Sequence, residues 1–69
     1  MADLRNILAN NMRRIRKERG YSQEELAFMA EVDRTYISLI ERRVNSISID
    51  KLEQIANALS VEAYLLLKP

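Results

Sequence analysis

Residues 22–42 read SQEELAFMAEVDRTYISLIER, and the architecture of the chain is decided there. Ser22 with Glu25 three residues on is a capping box: the serine hydroxyl accepts from the Glu25 amide while the Glu25 carboxylate reaches back to the cap. The spacing predicts a helix over roughly 23–30, with Leu26, Ala27 and Ala30 turned inward. Asp33 is the next good N-cap. It opens a helix at about 34–42 that offers Tyr36, Ile37 and Ile40 to a core. Only Glu31, Val32 and Asp33 lie between the two helices, so they must cross rather than run side by side.

Towards the N-terminus, Asp3 can cap a first helix whose apolar residues Leu4, Ile7, Leu8, Met12 and Ile15 recur at the spacing of one helical face. Gly20, the only glycine, follows a Lys/Arg-rich last turn, where a helix needs a left-handed closing residue. Ser48 can cap a helix over about 49–59 with Leu52, Ile55, Ala56 and Leu59 as its apolar stripe. A short terminal helix, AYLLLK, ends at Pro69. Ser46–Ile49 alternates but is too short for a strand on its own. The expected fold is all-α: a compact bundle of five short helices in one domain spanning residues 1–69.

Composition removes most chemistry. The 69 residues hold no cysteine and no histidine, which excludes disulfides, thiolate or imidazole metal sites, cysteine nucleophiles and an imidazole base. No catalytic residue, metal or cofactor is expected, and an enzyme would lack both groups and a pocket. A chain of this length builds only a marginal core. The N-terminal residues have no signal-peptide pattern, and no stretch approaches the roughly 20 apolar residues of a membrane span. A cytoplasmic protein with no membrane partner is the expectation. The net charge of +1 is uninformative as a total, but residues 13–19, RRIRKER, carry +4 beside an acidic remainder. Such a run is either a solvated helix face or part of an anion-binding surface.

Two short helices joined by a three-residue turn, the second polar at its start, meet the physical requirement of a helix-turn-helix. In that motif the second helix presents its N-terminal residues to base edges in the major groove. Residues 15–61 closely resemble the Cro/lambda-repressor-like (Xre-type) helix-turn-helix family. The resemblance is carried by Arg16 and Gly20, the block Ser22–Ala27, Tyr36-Ile37-Ser38, Ile40-Glu41-Arg42, Leu52, Ile55-Ala56 and Ala58-Leu59. Within the family, the block from Asp33 to Arg42 looks most like the controller proteins of restriction–modification systems.

The resemblance implies a sequence-specific transcriptional regulator binding a double-stranded DNA operator and controlling its own operon. Arg34, Thr35 and Ser38 would read bases, since arginine suits guanine and a threonine methyl suits thymine. Arg34 contacting phosphate only is the alternative, because most protein–DNA hydrogen bonds go to the backbone. Gln23 would bind a phosphate at the start of its helix. Tyr36 is core-edge packing, a phosphate contact, or both. Arg42, Arg43, Asn45 and Ser46 form a loop that would grip the DNA backbone, or else a plain polar loop. The resemblance also implies a structural ion pair between Arg16 and Glu41. The remaining basic residues of 13–19, especially Arg13, Arg14 and Lys17, face either DNA or solvent, and solvent is favoured for most of them, since not all directions around a helix can face one duplex.

Three departures stand out. Glu31 and Ser60 occupy positions where relatives commonly carry glycine, and the loop 42–48 has neither glycine nor proline. The terminal cluster Val61, Tyr64, Leu65, Leu66 and Leu67 is too apolar for one face of a short helix. It either completes the core or meets a second copy, and a homodimer would let two heads engage two half-sites. Contact with RNA polymerase would be needed for activation but not for repression. No small-molecule ligand is expected. The rival readings are a phage-repressor or antitoxin-type regulator, and a protein–protein module that keeps the fold.

Overall fold

In the computed structural model, which describes residues 3–69, the order is α1 (Leu4–Glu18), α2 (Gln23–Ala30), α3 (Arg34–Glu41) and α4 (Ile49–Leu59). A 3₁₀ segment, Ala63–Leu67, follows α4. There are thus four α-helices among the described residues rather than five. The last expected helix is too short, and lacks any side-chain cap at Glu62, to settle into the wider α geometry.

Each helix starts where a polar side chain can satisfy its free amides. Asp3 accepts from the Asn6 amide at 3.3 Å, Asp33 from Thr35 at 2.8 Å, and Ser48 from Lys51 at 3.1 Å. Ser22 accepts from Glu25 at 3.0 Å while the Glu25 carboxylate accepts from the Ser22 amide at 2.9 Å, closing the capping box in both directions.

All four helices end alike, through a left-handed residue followed by a backbone bond to the carbonyl five residues back. Gly20 (φ 78°), Glu31 (φ 58°), Arg43 (φ 64°) and Ser60 (φ 59°) hold these positions. The closing bonds run from Tyr21 to Arg16, Val32 to Ala27, Val44 to Leu39 and Val61 to Ala56 at 2.9–3.0 Å. Only one of the four is glycine, so three side chains sit in a conformation costing L-residues roughly 1–2 kcal/mol each. Glu31 also places a carboxylate at the negative end of the α2 dipole. Glu31→Gly is therefore expected to stabilise the domain by about 0.5–1 kcal/mol net of the added unfolded-chain entropy. In thermal unfolding this is a rise of roughly 2–8 °C in Tm; a fall would contradict the strain argument.

The helices enclose Leu8, Met12, Ile15, Leu26, Ala27, Ala30, Ile37, Ile40, Leu52, Ile55, Ala56, Leu59 and Leu66. α2 packs on α3 and α4, and α1 packs on α3 and on the terminal segment. Leu4, read as an inward residue, is instead exposed at the start of α1. Distant polar side chains close the remaining backbone groups. Asn11 donates to the carbonyls of Leu66 at 3.0 Å and Lys68 at 2.8 Å, Arg19 to Leu59 at 2.8 Å, and Gln54 to Ala30 at 3.2 Å.

In a 3₁₀ turn residues three apart share a direction. Ala63 and Leu66 accordingly pack on the core, Leu66 completely; Val61 and Leu67, half-buried, also pack against it, while Tyr64 is exposed. Leu66 must therefore be removed from the expected dimer surface: it is spent inside its own protomer. Val61 and Leu65 border a cleft whose other walls are largely polar, among them Arg14, Glu18 and Arg19. Leu67 instead lines an apolar hollow of about 270 Å³ with Leu4, Leu8, Ile47, Ile49 and Leu52. The apolar residues of 61–67 do not form one continuous surface.

Candidate nucleic-acid interface

The three-residue connection sets the N-terminal ends of α2 and α3 side by side. Between them lies an open polar cleft of about 200 Å³ lined by Gln23, Arg34, Thr35 and Ser38. Arg34 and Thr35 are exposed on the first turn of α3, and Ser38, one turn on, is half-buried. These four residues are brought together. Tyr36, Arg42, Arg43, Asn45 and Ser46 do not line the cleft.

Tyr36 turns away from the first turn and packs against the core near the Ser48 backbone. Burial raises the pKa of its phenol, a hydrogen bond from the Ser48 backbone opposing the shift, so the hydroxyl stays protonated at neutral pH. Arg42 is exposed at the end of α3. Arg43 takes the left-handed closing position, and its Nη1 donates to Asn6 Oδ1 at 2.7 Å, tying the loop to α1. Asn45 is half-buried. Ser46 borders the apolar hollow rather than the polar cleft.

Behind the cleft sits Glu41, whose side chain is 0% exposed. Arg16, 10% exposed, holds it with two parallel bonds: Nε to Oε2 at 2.8 Å and Nη2 to Oε1 at 3.0 Å. This is the fork-to-fork geometry that makes an arginine–carboxylate pair directional. The remaining Arg16 nitrogen, Nη1, donates to the Tyr21 carbonyl at 2.8 Å, so the pair also fastens the turn after α1. Gln23 Nε2 donates to Oε1 at 3.1 Å and Arg13 Nε to the same oxygen at 3.4 Å. Burial by itself would raise the Glu41 pKa. The hydrogen bonds from Arg16, Gln23 and Arg13 and the Arg16 charge outweigh it, leaving the carboxyl below its ordinary value and ionised.

Gln23 is thus set in place by Glu41 through one amide hydrogen, with its second amide hydrogen available to another acceptor. Sequence reasoning missed the Arg13–Glu41 and Asn6–Arg43 contacts. Arg13 lies one turn before Arg16 on the same face of α1, a spacing that could have joined it to the pair. Nothing in the local pattern links Asn6 to a residue 37 positions away. Charge is elsewhere unfavourable to DNA: Phe28, 84% exposed, and Met29 border a hollow with Glu24 and Glu25 on the outer face of α2. No described helix is long and apolar enough to cross a membrane.

Comparison with known proteins places this geometry among regulators. The helix-turn-helix family profile matches residues 12–66. A hypothetical transcription factor of Neisseria meningitidis serogroup B is 51% identical over 67 residues, which are 97% of this chain and 63% of that protein. The chain thus spans just under two thirds of that relative. The crystal structure of hypothetical transcription factor NHTF from Neisseria has a TM-score of 0.95 to this chain at 51% identity, covering 97% of this chain and 77% of that one. Control protein C.BamHI of Bacillus amyloliquefaciens is 41% identical over 61 residues, 87% of this chain and 75% of its own length. The structure of C.Esp1396I bound to a 25 base pair operator site matches with a TM-score of 0.85 and 36% identity, over 96% of this chain and 87% of that one.

Proposed function

Because this chain belongs to the Xre-like helix-turn-helix family, with restriction–modification controller proteins among its relatives, we propose that it is a sequence-specific DNA-binding transcriptional regulator that controls its own operon. The observation that carries the reading is the polar cleft at the start of α3, where Arg34, Thr35 and Ser38 stand beside Gln23. Laid in a major groove, the first turns of α3 bring Arg34 and Thr35 to base edges, with Ser38 behind them. Gln23, already oriented by Glu41, takes a phosphate with its free amide hydrogen. Arg42 and Arg43, with Asn45 and Ser46, grip the backbone of the same half-site.

The operator-bound C.Esp1396I supports a duplex DNA partner. A homodimer on a pseudo-palindromic operator fits the two-fold logic of such sites. The surface that supports a second copy is the apolar hollow at Leu67, widened by exposed Ile49 and Leu4, with Tyr64 on the same terminal segment. Where the regulator activates, the acid-rimmed Phe28–Met29 patch suits a basic element of RNA polymerase. The domain works in the cytoplasm, without a cofactor or small-molecule ligand, and responds through its own concentration.

The test begins with footprinting on DNA upstream of its own gene, followed by anisotropy titration of the protected duplex. Arg34→Ala should relax preference at one base pair and weaken specific binding by about 1–3 kcal/mol, roughly 5- to 150-fold. Arg42→Ala should instead weaken all sequences alike. Base preference unchanged in Arg34→Ala would remove that residue as the reader. A wild-type chain with no salt-dependent affinity for duplex DNA would point to the protein–protein module.

A further inference from the structure

We propose that Arg13 is a phosphate ligand of the DNA interface, paired with Gln23 and held ready by the buried Glu41 carboxylate. The proposal rests on the DNA-binding reading above and adds to it a cation that the sequence leaves open between DNA and solvent. Glu41 Oε1 receives three donors: Arg16 Nη2 at 3.0 Å, Gln23 Nε2 at 3.1 Å and Arg13 Nε at 3.4 Å. A carboxylate oxygen has two lone-pair sites, so one of these donors is surplus. Arg13 makes the longest bond and is the most open to solvent, at 53% exposure against 10% for Arg16. Were Arg13 to leave, Glu41 would keep the Arg16 fork and the Gln23 amide, and no buried charge would be orphaned.

Position argues the same way. Arg13 and Gln23 reach one oxygen atom, and the Gln23 side chain also lines the cleft with Arg34, Thr35 and Ser38. The Arg13 guanidinium is therefore at the margin of the surface offered to DNA. Its terminal nitrogens have no hydrogen-bond partner among the described residues, and together they match the spacing of two phosphate oxygens. Neighbouring Arg14 differs: it is engaged along α1, donating to Asn11 at 3.2 Å and pairing with Glu18 at 3.6 Å. With Gln23 supplying an uncharged amide, Arg13 supplies the charge that neutralises the phosphate both would touch.

The experiment is a salt titration of operator affinity, by anisotropy on the footprinted duplex from about 50 to about 200 mM salt. Wild type, Arg13→Ala, Arg13→Lys and Arg14→Ala are compared, with thermal unfolding run on each. Arg13→Ala is expected to fold, to bind several-fold more weakly at the low-salt end, and to lose about 0.9 from the slope of log affinity against log salt. Arg13→Lys should restore most of the slope, and Arg14→Ala should keep it. An unchanged slope in Arg13→Ala, or an Arg13→Lys variant that behaves like alanine, overturns the proposal while leaving the DNA-binding reading intact. A wild-type chain without a salt slope overturns that reading first.

Discussion

Glu41→Ala is expected to destabilise the domain by about 3–5 kcal/mol, because removing one partner of a buried ion pair leaves the other charge uncompensated. The Arg16 guanidinium, 10% exposed, would keep only the Tyr21 carbonyl, and Gln23 and Arg13 would lose their shared acceptor. A domain of this length is expected to have on the order of 3–10 kcal/mol in all. The variant should therefore be largely unfolded or close to it, as read by urea unfolding of wild type and variant followed by circular dichroism. Acid should reproduce part of the effect. The folded-state pKa of Glu41 lies below its ordinary value of 4.5, so the carboxylate contributes stability that is complete above 4.5 and lost as pH falls through the folded value. Wild type should lose stability over that acid range more steeply than Glu41→Gln. A Glu41→Ala protein as stable as wild type at neutral pH would show that the ion pair contributes nothing net.

Leu66→Ala should cost about 2–5 kcal/mol, the range for truncating a fully buried leucine. Its side chain is 0% exposed and joins the terminal segment to the core, with no uncovered face for a partner. Ile49→Lys makes the contrast. Ile49 is 75% exposed beside the Leu67 hollow, so this change should leave the unfolding of the protomer nearly unaltered. For the homodimer proposed above, it should shift the sedimentation profile from dimer to monomer and weaken operator binding. If Leu66→Ala left stability alone and dissociated the dimer, the inward placement of Leu66 would be wrong.

The motifs legible in the residues were those made by neighbours. Four N-caps, at Asp3, Ser22, Asp33 and Ser48, follow from side chains two or three positions from the amides they accept. The core stripe of α4 follows from a period of 3.6. The start of α3 was legible because Asp33 and the three-residue turn leave Arg34 and Thr35 no route to the interior. The loop 42–48 was not legible. Without glycine, the pattern does not say which residue takes the left-handed closing conformation, and Arg43 does so while its side chain reaches α1.

Read alone, the residues determine the helices, their order and the polar first turn of α3, because each depends on contacts within one or two turns of chain. Tertiary packing decides the rest. Arg13, Gln23 and Arg16 stand 28, 18 and 25 positions from Glu41, and no local period relates them. They meet on one buried carboxylate because α1, α2 and α3 converge there, and a buried charge persists only where enough donors surround it. The terminal cluster obeys the same rule. Its composition shows that some residues must be covered, but the 3₁₀ turn and the space left by α1 and α4 choose Leu66 for the core and leave Tyr64 outside.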